Sequence, residues 1–271
     1  MRNRYGNKEP LVSIVVPTYN RPEWLPITLK SMVEQTYKNI EIIVVNDAGT
    51  NVENIIDEFN DDRIKYIVHE KNKGLAGARN TAMKNATGDY FCWCDDDDFY
   101  LPLAIEFRMS QIKKLNAEIV YTRALQNILE RKDDHWEVVM RKLYWDMPFH
   151  RDKILIYNIS PCLCPLFSRK AWDDTGNYLL DETLTTSEDQ DFWMGLSRKN
   201  DFHELKLVDC ECTYRNVPNG QMSGNRNFAQ NWPIIYKRWR HTATPQNYEW
   251  VKNTQNQILK NAGINPSDYG L

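Results

Sequence analysis

Four short apolar runs, residues 11–16, 40–45, 64–68 and 90–94, alternate with helix-patterned stretches through the first hundred residues. A strand covered on one face alternates apolar with polar side chains. A strand that is apolar throughout must be covered on both faces. The stretches between the runs supply the covers: in 24–35, for example, Leu25, Leu29, Met32 and Val33 recur at helical spacing, and 52–59 and 75–85 behave alike. This alternation predicts an α/β fold with a Rossmann-like, mostly parallel central sheet flanked by helices. Beyond Asp98 the pattern becomes less regular, with a helix predicted at 102–115, strands at 118–123, 136–143, 161–168 and 204–214, and a helix at 187–199. Helical signals then dominate. Thr244 before Pro245 reads as an N-cap with proline in the first turn, and Gly263 as the stop of that helix.

The balance of charge narrows the possible partners. There are 34 basic and 37 acidic side chains among 271 residues, a formal net charge of −3, so the basic excess of a nucleic-acid binder is missing. No segment is long and apolar enough to span a bilayer, and the first ten residues lack the apolar centre of a signal peptide, which leads us to expect a cytoplasmic protein. The six cysteines form three C-x-C pairs, Cys92/Cys94, Cys162/Cys164 and Cys210/Cys212. Residues i and i+2 share a strand face, so each pair is expected to pack as small apolar side chains; zinc held by two neighbouring pairs is the alternative.

Ligands of open α/β sheets bind outside the carboxyl ends of the strands. Three polar clusters fall there: Thr18-Tyr19-Asn20-Arg21 after the first run, Asn46-Asp47 after the second, and Asp95 to Asp98 after the fourth. Tyr19 offers a flat ring on which a base can stack, and Asp47 an acceptor for a ring N–H. Four consecutive carboxylates repel one another, and a divalent cation shared with a substrate phosphate would relieve them. Taken singly, each cluster also reads as an ordinary turn or a solvated acidic loop. Neither a P-loop nor a G-x-G-x-x-G motif follows the first run, so phosphates must be neutralised by metal and side-chain cations. Arg79 is one candidate cation, an exposed helix arginine being the plain alternative.

The segments Pro17-Thr-Tyr-Asn-Arg21, Val44-Val-Asn-Asp47, Gly77-Ala-Arg-Asn80, the aspartate run and Ser187-Glu-Asp189 stand in the order and approximate spacing of the family 2 inverting glycosyltransferases, which the chain resembles over roughly residues 11–215. The resemblance implies the GT-A fold and a metal-dependent transfer of sugar from a nucleoside-diphosphate sugar, most simply a UDP-sugar, to a saccharide or lipid-linked saccharide. It divides the chain into an N-terminal arm (1–10), a nucleotide-sugar-binding half (11–100), an acceptor-side half of the same domain (101–215) and a helical C-terminal extension (216–271). By position, Pro17, Thr18, Tyr19, Arg21, Asp47, Arg79, Asp95 and Asp96 would contact the nucleotide sugar, with Asp47 on uracil and Asp96 near the ribose. Asp97, with Asp95, would hold Mn²⁺ or Mg²⁺, and Asp189 would be the catalytic base, Glu188 and Asp191 standing as alternatives. The family's Asp-Asp-Gly is here Asn46-Asp47-Ala48, and its late histidine is absent, leaving Arg215 or Ser223 for phosphate contacts. Without the resemblance, Ser187-Glu188-Asp189 reads as a capped, acidic helix start.

Two other functions compete: a sugar-nucleotide nucleotidyltransferase, which needs a glycine-rich loop straight after the first strand, and a non-catalytic sugar-nucleotide-binding module. The aromatic and basic stretch 232–240 suits ordinary helix packing, stacking on an acceptor sugar, or peripheral contact with the inner face of a membrane.

Overall fold

The computed structural model describes residues 9–144, 148–158, 161–216 and 228–271. Most of the expected arm at 1–10 lies outside these residues, as does Ser223. The first half follows the predicted alternation to within two residues at each boundary: β1 Val12–Thr18, α1 Leu25–Val33, β2 Ile40–Asn46, α2 Glu53–Phe59, β3 Ile64–Val68, α3 Gly74–Asn85 and β4 Tyr90–Trp93. The four strands run parallel in the order β3-β2-β1-β4. Covering on both faces is realised in the centre, where Ile14, Val15, Val16, Ile42, Ile43 and Val44 are all wholly buried. Pro17 is tolerated inside a central strand because the β4 ladder has already ended, at Val15 opposite Trp93.

The sheet continues through the second half as β4-β8-β6-β9-β5, giving nine strands among the described residues. The elements are β5 Phe99–Tyr100, α4 Ala104–Leu115, β6 Ile119–Lys132, β7 His135–Leu143, β8 Pro165–Ser168, α5 Arg169–Asp173, α6 Glu188–Ser197, β9 Phe202–Asn216, α7 Trp232–Trp239 and α8 Tyr248–Asn261. Short β8 lies antiparallel between β4 and β6, and β9 returns parallel to β6. β6 extends nine residues past its predicted end at 123 and turns back into β7 as a hairpin. Polar side chains in that extension obscured it in the sequence. Asn127 is buried there and donates to Glu211 on β9 at 2.7 Å, so the ladder carries its own polar pairing.

Two buried assemblies join the halves. Trp93 at the end of β4 packs on Trp193 and Phe192 of α6, with ring centroids 4.6 and 4.9 Å apart, and Phe91 stacks on Phe167 of β8 at 5.4 Å. The helix that carries Asp189 is thereby fixed to the strand that delivers Asp95. Arg108 of α4, fully buried, grips Asp209 of β9 with two hydrogen bonds at 2.7 and 2.6 Å, and donates to the Leu163 carbonyl and the Thr122 hydroxyl.

Two of the cysteine pairs pack as small buried side chains, Cys92 and Cys94 at the end of β4 and Cys210 and Cys212 on β9, whereas Cys162 and Cys164 lie in the turn before β8 and Cys162, only part-buried, contacts the Arg79 guanidinium; all six are free thiols. No three His, Cys, Asp or Glu side chains converge to hold a metal among the described residues, so the alternative of zinc on two C-x-C pairs has no site there.

One boundary needs correction. Helix α8 starts at Tyr248 with Asn247 at its N-cap, not at Thr244-Pro245, although Gly263 ends it as predicted with φ of +76°. Thr244 is drawn away by Asp152, which accepts from the Thr244 amide and hydroxyl and from the Asn247 side chain. Among the described residues no helix is long and apolar enough to cross a membrane.

Candidate active site

Asp95 to Asp98 form a tight turn at the end of β4, closed by the Asp98 amide donating to the Asp95 carbonyl at 3.0 Å. The repulsion expected among the four carboxylates is relieved here by arginines. Asp95 pairs with Arg79 at 2.6 Å, Asp96 with Arg21 at 2.7 Å, and Asp97 with both Arg21 and Arg215. Asp98 points inward and accepts from the Thr213 amide of β9 at 2.8 Å. Burial pushes the Asp97 carboxyl up to about 6 despite the two guanidinium groups, and raises Asp96 and Asp98 as well. Arg215 also lies over the Trp24 ring at 5.1 Å, which fixes its guanidinium at the turn. It reaches the turn from 118 residues further along the chain than its carboxylate partner.

The individual roles of the turn differ. Asp96 is almost entirely buried and braces the end of β1: it accepts from the Thr18 hydroxyl at 2.7 Å, from Arg21, and more weakly from the Tyr19 amide at 3.4 Å. The side chains of Asp95 and Asp97 keep more exposure, 26% and 10%. These two are the carboxylates that would hold a divalent ion if one binds with the substrate, because Mg²⁺ and Mn²⁺ take hard oxygen ligands from one or two acids and complete the shell with substrate phosphate and water; no third His, Cys, Asp or Glu converges with them among the described residues.

Arg79 requires a correction. It is neither an exposed helix arginine nor a cation open to a phosphate: it is 1% exposed, with one arm on Asp95 at 2.6 Å and the other on Glu188 at 2.9 Å. Its guanidinium lies over Trp93 at 5.0 Å, and Cys162 sits 3.3 Å away. Arg79 therefore works as a strut between the aspartate turn and the start of α6.

At that start the backbone of Ser187 is left-handed, with φ of +61°, and its side chain makes no capping bond. The capping explanation for Ser187-Glu188-Asp189 thus loses its main feature. Asp189 is half-buried; it accepts from the Asn158 amide group at 2.9 Å and from the Gln190 backbone N–H at 2.8 Å. Burial raises its pKa, and the nearby Arg79 charge offsets only part of that rise. The two alternative bases are engaged elsewhere. Asp191 is wholly buried beneath Tyr178, Arg238 and Trp239, and Glu188, raised to about 7 by burial, faces Arg79.

At the β2 end, Asp47 is buried and accepts from the Lys73 and Gly74 amides at 2.8 Å each, and pairs with His69 at 2.7 Å. Its carboxylate secures the first turn of α3, with one of about four acceptor positions left over. Beside it a cavity of about 390 Å³ is lined by Asn46, Gly49, Asn51, Glu53, Tyr66 and Val68. Tyr19, 48% exposed, stands next to Gly49. A Cβ on Gly49 would come within 2.8 Å of the Asn20 backbone nitrogen, so only glycine lets the turns after β1 and β2 approach this closely. Asn20 and Ala48 in those turns are left-handed like Ser187, at φ of +54° and +59°. Such strained positions gather at binding sites. Sequence reasoning passed over His69, Tyr66 and Asn158, none of which sits in a recognisable motif, and it read Cys162 only as a packing or zinc-binding thiol.

Comparison with known proteins is consistent with this geometry. Residues 13–174 match the family described as Glycosyl transferase family 2, and the chain belongs to that family. An uncharacterized glycosyltransferase of Rickettsia felis is 28% identical over 260 residues, covering 92% of this chain but 41% of that protein. WfaP of Escherichia coli, named a UDP-Glc:alpha-D-GlcNAc-diphosphoundecaprenol beta-1,3-glucosyltransferase, is 31% identical over 219 residues, covering 80% of this chain and 81% of WfaP. The crystal structure of S. aureus TarS 1–349 in complex with UDP-GlcNAc matches with a TM-score of 0.68 at 17% identity, over 93% of this chain and 73% of that one. The fold is GT-A.

Proposed function

We propose that the chain moves a sugar from a UDP-sugar to a hydroxyl of a saccharide or lipid-linked saccharide, with inversion at the anomeric carbon and with Mn²⁺ or Mg²⁺. One observation carries the reading. A single buried guanidinium, Arg79, joins the carboxylate on the donor side, Asp95, to Glu188, the immediate neighbour of the base Asp189. Donor and acceptor chemistry thereby share one crevice.

In this reading the base stacks on Tyr19 and enters the cavity beside Asn46 and Tyr66, with Asp47 holding the α3 turn that frames it. Asp97 and Asp95 would hold the metal ion, which when bound neutralises negative charge on the diphosphate. Arg21 and Arg215, at the same turn, bring permanent positive charge to the leaving group, where charge develops in the transition state. Asp189, held by Asn158, takes the proton of the attacking hydroxyl. In-line attack from that side inverts the anomeric centre. WfaP, by its name, uses a lipid-linked acceptor, and this supports an acceptor of the same kind and peripheral work at the inner face of a membrane.

The decisive assay measures nucleoside-diphosphate release from UDP-Glc, UDP-GlcNAc, UDP-Gal and GDP-Man with a diphospholipid-linked GlcNAc acceptor, in Mn²⁺ or in chelator. One UDP-sugar should be consumed, with a β-linked product from an α-linked donor and nearly all turnover lost in chelator. Preference for GDP-Man would refute the uridine assignment, and retained anomeric configuration the single displacement.

A further inference from the structure

We propose that the concavity between α7 and α8 binds a phosphate-bearing ligand, at a site that shares no residue with the crevice at the ends of β1, β2 and β4. The cavity measures about 310 Å³ and is lined by Lys237, Arg240 and His241 at the end of α7, by Tyr248 and Lys252 of α8, and by Gly270 and Leu271. No acidic side chain lines it. Neither Lys237 nor Lys252 has an ion-pair partner among the described residues.

Arg240 distinguishes this concavity from an ordinary basic surface. Four arginines are buried among the described residues. Three face carboxylates: Arg79 with Asp95 and Glu188, Arg108 with Asp209, and Arg215 with Asp97. Arg240, 6% exposed, donates only to the neutral Gln255 and Asn256 side chains, at 2.7 and 2.6 Å. Burial lowers its pKa, and no carboxylate restores it. A desolvated guanidinium bonded only to neutral amides is costly, and Lys237 and Lys252 on the same lining add like charge. An anion with several oxygens relieves both. Guanidinium and ammonium donors together are the usual phosphate-binding set, and three cations favour a multiply charged phosphate over a single carboxylate. The ligand can be a free phosphate compound or the headgroup of an anionic lipid, the latter in keeping with the basic and aromatic character of 232–240.

The test uses the full chain and the surface variant K237E/K252E, neither lysine belonging to the catalytic crevice. Calorimetric titration with inorganic pyrophosphate, in chelator, should show binding to the wild type that weakens at least about tenfold in the variant, since charged hydrogen bonds are lost. Sedimentation with phosphatidylcholine vesicles, with and without phosphatidylglycerol, separates the sources. Wild-type binding to the anionic vesicles only, lost in the variant, assigns a lipid headgroup; pyrophosphate binding without vesicle binding assigns a free phosphate compound. The milder variant K237Q/K252Q guards against misfolding and should weaken binding in the same direction. Equal behaviour of wild type and a folded variant in both arms overturns the proposal, since any remaining pyrophosphate binding would then belong to the arginines of the catalytic crevice.

Discussion

Asp189→Asn should reduce sugar transfer by about 10²–10⁴-fold, the usual contribution of a positioned general base, while leaving UDP affinity nearly unchanged. The amide has the size of the carboxyl and keeps one acceptor oxygen for Asn158 or the Gln190 N–H, so the start of α6 should hold its shape. What disappears is the capacity to take a proton. The pH profile offers a second readout. Burial raises the Asp189 pKa from its ordinary value, and a base acts only when unprotonated. In the wild type kcat should therefore fall as pH drops through that raised pKa, and the residual rate of the variant should lack this limb. Neither neighbour can substitute, because Asp191 is sealed under three donors and Glu188 is bound to Arg79. Normal turnover by Asp189→Asn would remove Asp189 from the role.

Arg108→Met should destabilise the fold by about 3–5 kcal/mol, the typical cost of stranding one partner of a buried ion pair. Arg108 has no exposed surface and Asp209 very little, so the abandoned carboxylate could not reach water without disrupting β9. The Thr122 hydroxyl would remain its principal side-chain partner, at 2.6 Å. For a chain of this size the melting temperature should drop by roughly 10 °C. The double variant Arg108→Met/Asp209→Leu should recover much of the loss, because an apolar pair of similar volume needs no desolvated charge. A single variant as stable as the wild type in urea would mean that the α4–β9 contact contributes little.

The contrast between these residues and the motifs shows what a sequence can convey. The strands and helices of the first half were legible because their strands are apolar at nearly every position, broken only by single residues such as Ser13, Glu41 and Lys65, a local signal. The length of β6 was not, because Asn127 looks like a solvent-facing residue until it is seen to pair with Glu211 across the ladder. The aspartate run announced itself as a charge cluster at a strand end. Its relief by Arg21, Arg79 and Arg215 depends on contacts across 75, 16 and 118 residues, which no spacing rule reveals. Arg79 was visible as a conspicuous cation, yet its direction depends on Glu188 arriving from the other half. Thr244-Pro245 carried a sound helix-start signal that lost to a tertiary competitor, the buried carboxylate of Asp152.

The whole account depends on the turn after β4 gripping a diphosphate through Asp97. Isothermal titration of UDP into the wild type and into Asp97→Ala, each with and without Mn²⁺, tests that dependence directly. We predict that Mn²⁺ strengthens UDP binding to the wild type markedly and has no effect on the variant. Equal UDP affinity in all four titrations would contradict it.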